Sequence, residues 1–467
     1  MTLSLGLALS LALAGCAPRG SDKGVAADDS GAPPDSSPDS ADSADSADSA
    51  SGPLFQLAST PTNLLVISVD TLRRDAMGAY EGDGDTPFLD GLAAEGVLLT
   101  HHRTCSSWTY PGVICAITGE TSEDLGFAAT VPDRTEDVVR LPAGTQTQAS
   151  VLQGLGYQTM LVSSNGYLAA GTGMIQGFTT SWLGNGYPAA AITTEALDMV
   201  DTELDLSQPW MLHVHYIDPH SPYDPPDEYL DGIEDLPAIS YDLSTDEGTN
   251  EATNAWDGMD ADEQAAVLEN MQFRYAGEVR YVDDQISALM SALDERGALD
   301  DTLVLFWADH GEQLFEHGGR GHATSLFGEE TDGAAFFWAR GMTPASWDGL
   351  TTSQDLAPTA FALMGVTPAE PMLGQVVGTR PDDTAIFGVL THNGREPVQS
   401  VAVGDLKLVY TWTGKKAFFR RDSDPDERHD LYDAADPDVI ALWEQLSPQV
   451  EALEPLVTDY TPESPGP

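Results

Sequence analysis

The chain has 467 residues, of which 75 are acidic and 20 are lysine or arginine, giving a formal net charge of −55. A surface of this charge repels nucleic acid and anionic membranes, so the composition argues against both as partners of the folded chain. The length allows two or three average domains, or one large α/β domain with a smaller appendage.

The first predicted element is a secretion signal. Residues 3–14 are an apolar run that is too short to span a bilayer. The run ends in Leu13-Ala14-Gly15-Cys16, which resembles a bacterial lipobox, although no Lys or Arg precedes Leu3. We expect a lipoprotein signal peptide over residues 1–16 and a lipid anchor on Cys16, which is the only membrane contact we predict. The protein would then lie in the bacterial cell envelope, on the outer membrane, at the cell surface or in the periplasm. An ordinary cleaved signal with an incidental cysteine is the alternative.

Residues 17–58 follow as a predicted disordered tether. This stretch consists mostly of Ser, Asp, Ala, Pro and Gly, and an Asp-Ser-Ala triplet repeats within it. Such a segment buries too little apolar area to offset the entropy lost on ordering. We expect the folded part to comprise a main domain over residues 59–380 and a C-terminal subdomain over residues 381–467.

Four short apolar runs in the main domain each end in polar residues. The runs cover residues 63–69, 158–162, 210–217 and 302–308. Such runs are typical of parallel strands buried on both faces, and ligands bind at the carboxyl ends of these strands. The residues that follow are Asp70, Ser163-Ser164-Asn165, Asp218-Pro219-His220 and Asp309-His310-Gly311. The pattern predicts an α/β fold with an active site at one edge of the sheet.

Other segments complete the predicted organisation. Apolar residues at helical spacing over 279–293 predict a helix that Gly297 caps, and the acidic stretch 227–262 indicates a long surface insertion. Residues 401–403 and 406–410, joined by Gly404-Asp405, predict a hairpin, and Phe418-Phe419 begins a third strand. Residues 436–453 predict a closing helix with an internal proline. The C-terminal part is therefore a small α+β subdomain.

Asp70, Asp309 and His310 are candidate ligands of a divalent cation. Two carboxylates favour Mg²⁺, Ca²⁺ or Mn²⁺, and the imidazole shifts the preference toward Mn²⁺ or Zn²⁺. A bound cation would also attract an anionic substrate to this acidic protein. Taken singly, each residue has a structural alternative as a helix cap or a turn residue.

Thr109 is the candidate nucleophile. It lies two residues before Pro111, which suits the first turn of a helix, so Thr109 is expected at or near a helix N-terminus. A metal could lower the pKa of its hydroxyl, and free backbone N–H groups could stabilise an oxyanion. The alternative is a simple helix cap. Cys105 and Cys115 flank this loop, either as a disulfide or as two free thiols.

Three further residues are candidates for contact with the substrate. His220 lies in a loop fixed by two prolines, and His322 follows a glycine-rich loop, so each could donate to substrate or leaving group. Asn165 could donate an amide N–H to an oxyanion. A second metal near Asp218, His220 and His322 is a further possibility.

Together these residues resemble the sulfatase family of the alkaline phosphatase superfamily. Matching segments occur in family order from about residue 63 to residue 433. They are NLLVISVDTLRRD, TPFLDGLAAEGV, SSWTYPGVICAITG, HYIDPHSPYDPP, LVLFWADHGEQLFEHG, SQDLAPTAFALMG and DSDPDERHDLYD. The resemblance implies a mostly parallel sheet sandwiched between helices, with a smaller C-terminal antiparallel sheet.

Carried over by motif, the resemblance also implies roles for single residues. Asp70, Asp309 and His310 would bind the metal, and Thr109 would be the nucleophile and lie at the metal. His220 and His322 would contact substrate, and Asn165 matches a substrate-binding position more loosely.

The chain departs from the family pattern at four positions. Members of the main type convert a Cys or Ser, two residues before a Pro, into formylglycine, and that residue is Thr109 here. Gly112 and Val113 replace the usual Ser and Arg, and Thr71 replaces a second metal-binding Asp. A formylglycine mechanism is therefore not expected. Threonine nucleophiles resemble the phosphoethanolamine- and phosphoglycerol-transferase branches of the superfamily.

We therefore predict a metal-dependent hydrolase that cleaves a sulfate or phosphate ester by attack of Thr109. Its substrate would be a sulfated or phosphorylated glycan, lipid or small molecule. One alternative is a phosphotransferase, in which an acceptor hydroxyl replaces water. The other is a catalytically inactive surface lipoprotein that keeps the fold and the metal.

Overall fold

The computed structural model describes residues 54–82, 84–130, 139–392 and 395–457. The predicted signal peptide, Cys16 and the repeat-containing part of the predicted tether lie outside these residues. Leu54, Phe55 and Leu57 fall within the range predicted as tether, yet they pack against the core. The Phe55 ring meets Phe337 edge-on, with centroids 5.5 Å apart. The predicted boundary of the tether at residue 58 is therefore too late, because residues 54–57 already pack against the main domain.

The described residues form fourteen strands and nine α-helices. The strands are β1 (Asn63–Val69), β2 (Val97–Arg103), β3 (Gln158–Ser163), β4 (Thr180–Leu183), β5 (Trp210–Tyr216), β6 (Thr302–Ala308), β7 (Gln313–Leu314), β8 (Arg320–Gly321), β9 (Ala335–Ala339), β10 (Ala345–Thr352), β11 (Ile386–Leu390), β12 (Val398–Val403), β13 (Leu406–Thr411) and β14 (Lys416–Arg420). The helices are α1 (Pro87–Glu95), α2 (Thr109–Thr118), α3 (Gln148–Gly154), α4 (Ala189–Glu203), α5 (Asp246–Ala255), α6 (Ala261–Glu295), α7 (Gly328–Thr331), α8 (Leu356–Met364) and α9 (Pro437–Leu453).

An eight-stranded sheet carries the four predicted strand ends. Its strand order is β10-β2-β9-β6-β1-β5-β3-β4. Strand β9 runs antiparallel to β6 and β2, and the other neighbours pair in parallel. The predicted bounds of β1 and β6 are confirmed, and those of β3 and β5 differ by one residue at the carboxyl end. Because β6, β1, β5 and β3 are adjacent and parallel, their carboxyl ends meet at one edge of the sheet.

Helices cover both faces of this sheet. On one face Leu65, Ile67 and Val69 of β1 share a core with helices α1, α4 and α6. On the other face Leu64 and Val66 share a core with α2, α3 and α8. Since alternate residues of a strand point to opposite faces, a strand covered on both sides has to be apolar throughout. The arrangement confirms the predicted mostly parallel sheet between helices.

The longest helix, α6, ends as the sequence predicts, and a helix that was not predicted, α5, precedes it. Gly297 beyond the end of α6 has a φ of +68°, which suits glycine. At its start, the Asp260 side chain accepts hydrogen bonds from the backbone of Asp262 and Glu263. Residues 227–262, predicted as a long surface insertion, contain helix α5, which the sequence did not predict. The buried face of α5 consists of Gly, Thr and Ala, which leave no apolar periodicity in the sequence.

The C-terminal part forms a second sheet. It is antiparallel, with strand order β11-β12-β13-β14, and α9 packs on it around Trp412 and Trp443. The predicted hairpin and third strand are confirmed as β12, β13 and β14, while β11 was not predicted. Strand β11 joins this sheet to the loop before α2, because the Val389 N–H donates to the carbonyl of Cys105 at 2.9 Å. None of the helices in the described ranges is long and apolar enough to cross a membrane.

Candidate active site

Asp70, Asp309 and His310, which we call the metal trio, lie together at the carboxyl edge of the main sheet. Asp70 follows β1 and Asp309 follows β6, and Val69 pairs with Ala308 in the parallel register of these strands. All three side chains are fully buried. The Nε2 atom of His310 lies 3.4 Å from Oδ1 of Asp70 and 3.6 Å from Oδ2 of Asp309. One ligand atom from each residue lies within 4.8 Å of the other two.

The hydrogen bonding of the trio fits a bound cation. Oδ1 of Asp309 accepts from the backbone N–H groups of Thr71 and His310. Oδ2 of Asp309 and Oδ1 of Asp70 have no hydrogen-bond partner among the described residues. Burying an unpaired carboxylate oxygen is costly, and a divalent cation bound by both oxygens would remove that cost. No second trio of His, Cys, Asp or Glu ligands occurs in the described ranges, so the second metal considered near Asp218 lacks a matching cluster.

The protonation states of the trio suit cation binding. Burial, followed by the charge of Asp70, raises the pKa of Asp309 well above its ordinary value. Burial, followed by the charge of His322, lowers the pKa of His310 to about 3, so its ring is neutral. Nδ1 of His310 lies 2.9 Å from the carbonyl oxygen of Gly311 and has to donate to it. The lone pair is therefore on Nε2, which faces the carboxylates and is free to bind a metal.

Thr109 is the first residue of α2, and its hydroxyl faces the trio. Oγ1 of Thr109 lies 3.3 Å from Oδ2 of Asp70 and 3.4 Å from Nε2 of His310. Trp108, not Thr109, occupies the N-cap position of the helix. The hydroxyl therefore does not cap the helix, and it can serve as a fourth metal ligand or as a nucleophile.

The departures at residues 112 and 113 have a structural reason. A Cβ atom at Gly112 would lie 2.6 Å from the backbone oxygen of Asp309, so a serine does not fit without displacing the metal trio. Val113 is 1% exposed and belongs to the apolar core between the sheet and α2. The absence of polar side chains at these positions thus follows from close packing of α2 against the end of β6.

A disulfide joins Cys105 to Cys115, which settles the alternative that the sequence left open. Their Cα atoms are 6.4 Å apart, and ten positions separate them in the chain. The bond ties the loop before Thr109 to the second turn of α2. It therefore restricts how far the Thr109 hydroxyl can move away from the trio.

Asn165, His220 and His322 are also at the site. Nδ2 of Asn165 donates to Oδ2 of Asp70 at 2.5 Å and lies 3.4 Å from Oγ1 of Thr109. The ring centroid of His322 lies 4.9 Å from that of His220 and 4.6 Å from that of His310. A cavity of about 220 Å³, which we call the reaction cavity, is lined by Trp108, Thr109, Asn165, Tyr167, His220, His322, Ala323, His392 and Arg395.

Sequence reasoning missed His215. Its side chain is fully buried, and its Nε2 atom lies 3.6 Å from Oδ2 of Asp70. Nδ1 of His215 shares a hydrogen bond of 2.7 Å with Ser68, which lies opposite it on β1. Burial acts to raise the pKa of Asp70, but the close contact with His215 and the other nearby histidines outweigh it and hold that pKa below its ordinary value. Two histidines inside an otherwise apolar strand were the available signal.

Glu312 and Arg395 were also missed. Glu312 is buried, and its Oε1 lies 3.5 Å from Nδ1 of His322. Burial acts to lower the pKa of His322, but the interaction with Glu312 outweighs it and raises that pKa, which favours a cationic ring. Arg395 comes from the C-terminal part and donates to the carbonyl of Ala323 at 2.6 Å. Position in the chain gave no signal for Arg395, because its approach to the site depends on how the second sheet packs.

A comparison with models of protein families identifies the family of this chain. The family model described as Sulfatase matches residues 62–366, a segment that contains the metal trio, Thr109, Asn165, His220 and His322. The chain belongs to the sulfatase family. The resemblance inferred from its motifs is therefore confirmed.

Individual sulfatases are distant relatives of the chain. The arylsulfatase of Clostridium perfringens is 30% identical over 136 residues, which is 28% of either chain. The sulfatase YidJ of Escherichia coli is 22% identical over 421 residues, 79% of this chain and 83% of YidJ. Several relatives, the arylsulfatase among them, are matched over less than half of their length.

Solved structures share the fold. The phosphonate monoester hydrolase of Agrobacterium radiobacter superposes with a TM-score of 0.65 at 19% identity. The match covers 87% of this chain and all of that one. At this identity the likeness establishes the architecture of the chain and leaves its substrate to be argued from the site.

Proposed function

We propose that this sulfatase-family chain is a metal-dependent hydrolase that cleaves a sulfate or phosphate ester with Thr109 as its nucleophile. The observation that carries the proposal is the position of the Thr109 hydroxyl. It lies at the start of α2, within 3.4 Å of both Asp70 and His310, and it opens into the reaction cavity. Relatives named as an arylsulfatase and as a phosphonate monoester hydrolase support both sulfur and phosphorus esters as substrates.

Asp70, Asp309 and His310, with Thr109 as a fourth ligand, would hold the divalent cation. Such a cation lowers the pKa of a bound hydroxyl and stabilises charge that develops on the ester oxygens. Mn²⁺, Ca²⁺, Mg²⁺ and Zn²⁺ are all compatible with two carboxylates and one imidazole.

The first step transfers the acid group to the protein. The Thr109 hydroxyl, whose pKa a bound cation would lower, releases its proton to solvent and leaves Oγ1 as the nucleophile. Oγ1 of Thr109 then bonds to the sulfur or phosphorus while the bond to the alcohol oxygen breaks. His322, which Glu312 favours in its cationic form, gives a proton to the departing alcohol oxygen.

The second step restores the protein. Neutral His322 takes a proton from a water molecule, whose oxygen attacks the same sulfur or phosphorus. The bond to Oγ1 of Thr109 breaks, that oxygen keeps the bonding electron pair and is ready for the next cycle, and sulfate or phosphate leaves. Asn165 donates an amide N–H toward the reacting oxygens, and His220 completes the wall beside the leaving group.

The test uses the purified chain, metal analysis and a panel of esters. We expect a bound divalent metal and release of sulfate from 4-nitrophenyl sulfate, or of phosphate from the corresponding phosphate esters, which a chelator abolishes and the metal restores. A product in which an added alcohol carries the phosphoryl group would instead favour the phosphotransferase. Metal binding without turnover of any ester would favour the inactive lipoprotein.

We also propose that the chain is anchored to the bacterial cell envelope through Cys16, on the support of the lipobox-like sequence. Cys16 lies outside the described residues. Cys16→Ser should release the protein from membranes into the soluble fraction or leave its signal uncleaved. If the variant is still processed and labelled by a radioactive fatty acid like the parent, the lipid anchor is wrong.

A further inference from the structure

A second cavity adjoins the reaction cavity, and we call it the acidic cavity. It has a volume of about 890 Å³ and shares Asn165, Tyr167 and His220 with the reaction cavity. A substrate whose ester group meets Thr109 can therefore extend its alcohol part past His220 into this space. The chemistry of the cavity wall then selects the alcohol.

The wall of the acidic cavity is rich in carboxyl groups. Asp218, Asp224, Asp227 and Glu278 line it, and no lysine or arginine does. The reaction cavity differs, because Arg395 and His322 lie in its wall. The two cavities thus have opposite polarity, with cationic groups where the ester anion binds and carboxyl groups where the alcohol part lies.

One carboxyl oxygen of Asp218 and one of Glu278 accept no hydrogen bond from the described residues. Glu278 is 3% exposed, and its Oε1 accepts from the backbone N–H of Asp224 at 2.7 Å. Oε2 of Glu278 and Oδ2 of Asp218 have no hydrogen-bond donor among the described residues. The two carboxyl groups interact with each other, and burial followed by the charge of Asp218 raises the pKa of Glu278 to about 9. A proton or another cation has to lie between these oxygens.

An organic cation fits the cavity better than a metal ion does. No third His, Cys, Asp or Glu ligand joins Asp218 and Glu278 in a metal-binding cluster within the described ranges. The rest of the wall includes Tyr167, Tyr281 and proline rings, which suit an ammonium group on a carbon chain. The unpaired carboxyl oxygens need N–H donors, which a primary ammonium has and a quaternary ammonium lacks.

We propose that the acidic cavity is a subsite for a primary ammonium group on the alcohol part of the ester, held by Asp218 and Glu278. This inference rests on the proposed hydrolase and specifies its substrate class as zwitterionic amino-alcohol or amino-sugar esters. It also disfavours polyanionic glycans, because a second sulfate or a carboxylate on the alcohol part would meet a wall lined by carboxyl groups.

The test compares esters that differ by one charge. Each ω-aminoalkyl sulfate is paired with the alkyl sulfate of the same chain length, and the corresponding phosphates form a second series. At the length that reaches Glu278, kcat/KM should favour the amine by at least about tenfold. Glu278→Gln and Asp218→Asn should abolish the preference, because each lowers kcat/KM on the amine by at least about tenfold more than on the alkyl ester. Glu269→Gln, which removes an exposed charge from the same helix α6, is the matched control and should keep the preference.

The outcomes separate the subsite from the proposed function. Equal rates on the amine and alkyl esters would show that the pair only shares a proton and would overturn the subsite, while hydrolysis would stand. A Glu278-dependent response to added divalent metal, without any amine preference, would overturn it in favour of a metal site. If no ester is hydrolysed, calorimetry can compare the Kd values of 3-aminopropyl sulfate and butyl sulfate. The subsite requires tighter binding of the amine, so equal Kd values would overturn it.

Discussion

Replacing Thr109 by alanine tests the chemistry of the site most directly. The substitution removes the only hydroxyl that lies within 3.4 Å of both Asp70 and His310 in the described structure. If Oγ1 of Thr109 forms the covalent bond to the substrate, kcat/KM should fall by about 10⁴-fold, equivalent to about 5.4 kcal/mol of lost transition-state stabilisation. Metal content should stay close to that of the parent, because the three residues of the trio remain.

The fold should tolerate the change. Thr109 is 2% exposed, so its methyl group contributes about 0.8 kcal/mol of burial, and the weak hydrogen bond from Asn165 contributes about 1 kcal/mol. Alanine returns a few tenths of a kcal/mol through its helix propensity. A net cost of about 1–2 kcal/mol is small beside the usual 5–15 kcal/mol of a folded domain.

Two further variants serve as controls for the assay, which measures initial rates of sulfate or phosphate release at saturating metal. Thr109→Val keeps the shape without the hydroxyl and should be as inactive as Thr109→Ala. Thr109→Ser keeps the hydroxyl and should retain part of the rate. The reasoning is refuted if Thr109→Ala keeps a rate within about tenfold of the parent, since a metal-bound water would then be the nucleophile.

Three other predictions follow from the same geometry. Asp309→Asn should lose bound divalent metal and activity together, measured by elemental analysis and ester turnover; unchanged metal content would remove Asp309 from the ligand set. The pKa of Glu278 is about 9 in the folded state, whereas the unfolded chain releases this proton near pH 4.5. The contribution of the protonated Glu278 to the free energy of unfolding is therefore full below pH 4.5 and is lost as pH rises toward 9. Glu278→Gln should therefore gain stability over the parent by up to about 1.4 kcal/mol per pH unit in that window, and parallel urea-unfolding curves would contradict this. Removing the disulfide with Cys105→Ala and Cys115→Ala should cost about 3 kcal/mol from loop closure, and an unchanged urea midpoint would count against it.

The fold was largely predictable because the main sheet is parallel and covered on both faces. Such strands are continuous apolar runs, so β1 and β6 could be delimited to the residue. Helix α5 was not predictable, since Gly248, Thr249 and Ala252 form its buried face and give no hydrophobic period. Strand β11 was missed because two of its five residues are only partly buried.

The site residues that directly follow a strand were predictable. The residues that contact them from elsewhere in the fold were not. Asp70, Asp309 and His310 each follow an apolar run, which made them visible. His215 lies inside such a run and reaches Asp70 only through the register that sets Ser68 opposite it. Arg395 depends on the docking of one sheet against another, which no local pattern in the sequence encodes. The glycine at position 112, where the family usually has serine, could be explained only from the structure. A side chain there would clash with the backbone oxygen of Asp309.

The shared wall of the reaction cavity has a consequence for engineering. Arg395 and His392 reach that wall from beyond β11, while Thr109 and the metal trio belong to the main sheet and its helices. Exchanging the C-terminal part between family members would therefore change two groups in the wall of the reaction cavity without touching a metal ligand. Conversely, grafting the metal trio and α2 onto another member would carry over the reactivity but not the selectivity. Recombination within this family should respect the seam at Cys105 and Val389, where the two parts are joined by a backbone hydrogen bond.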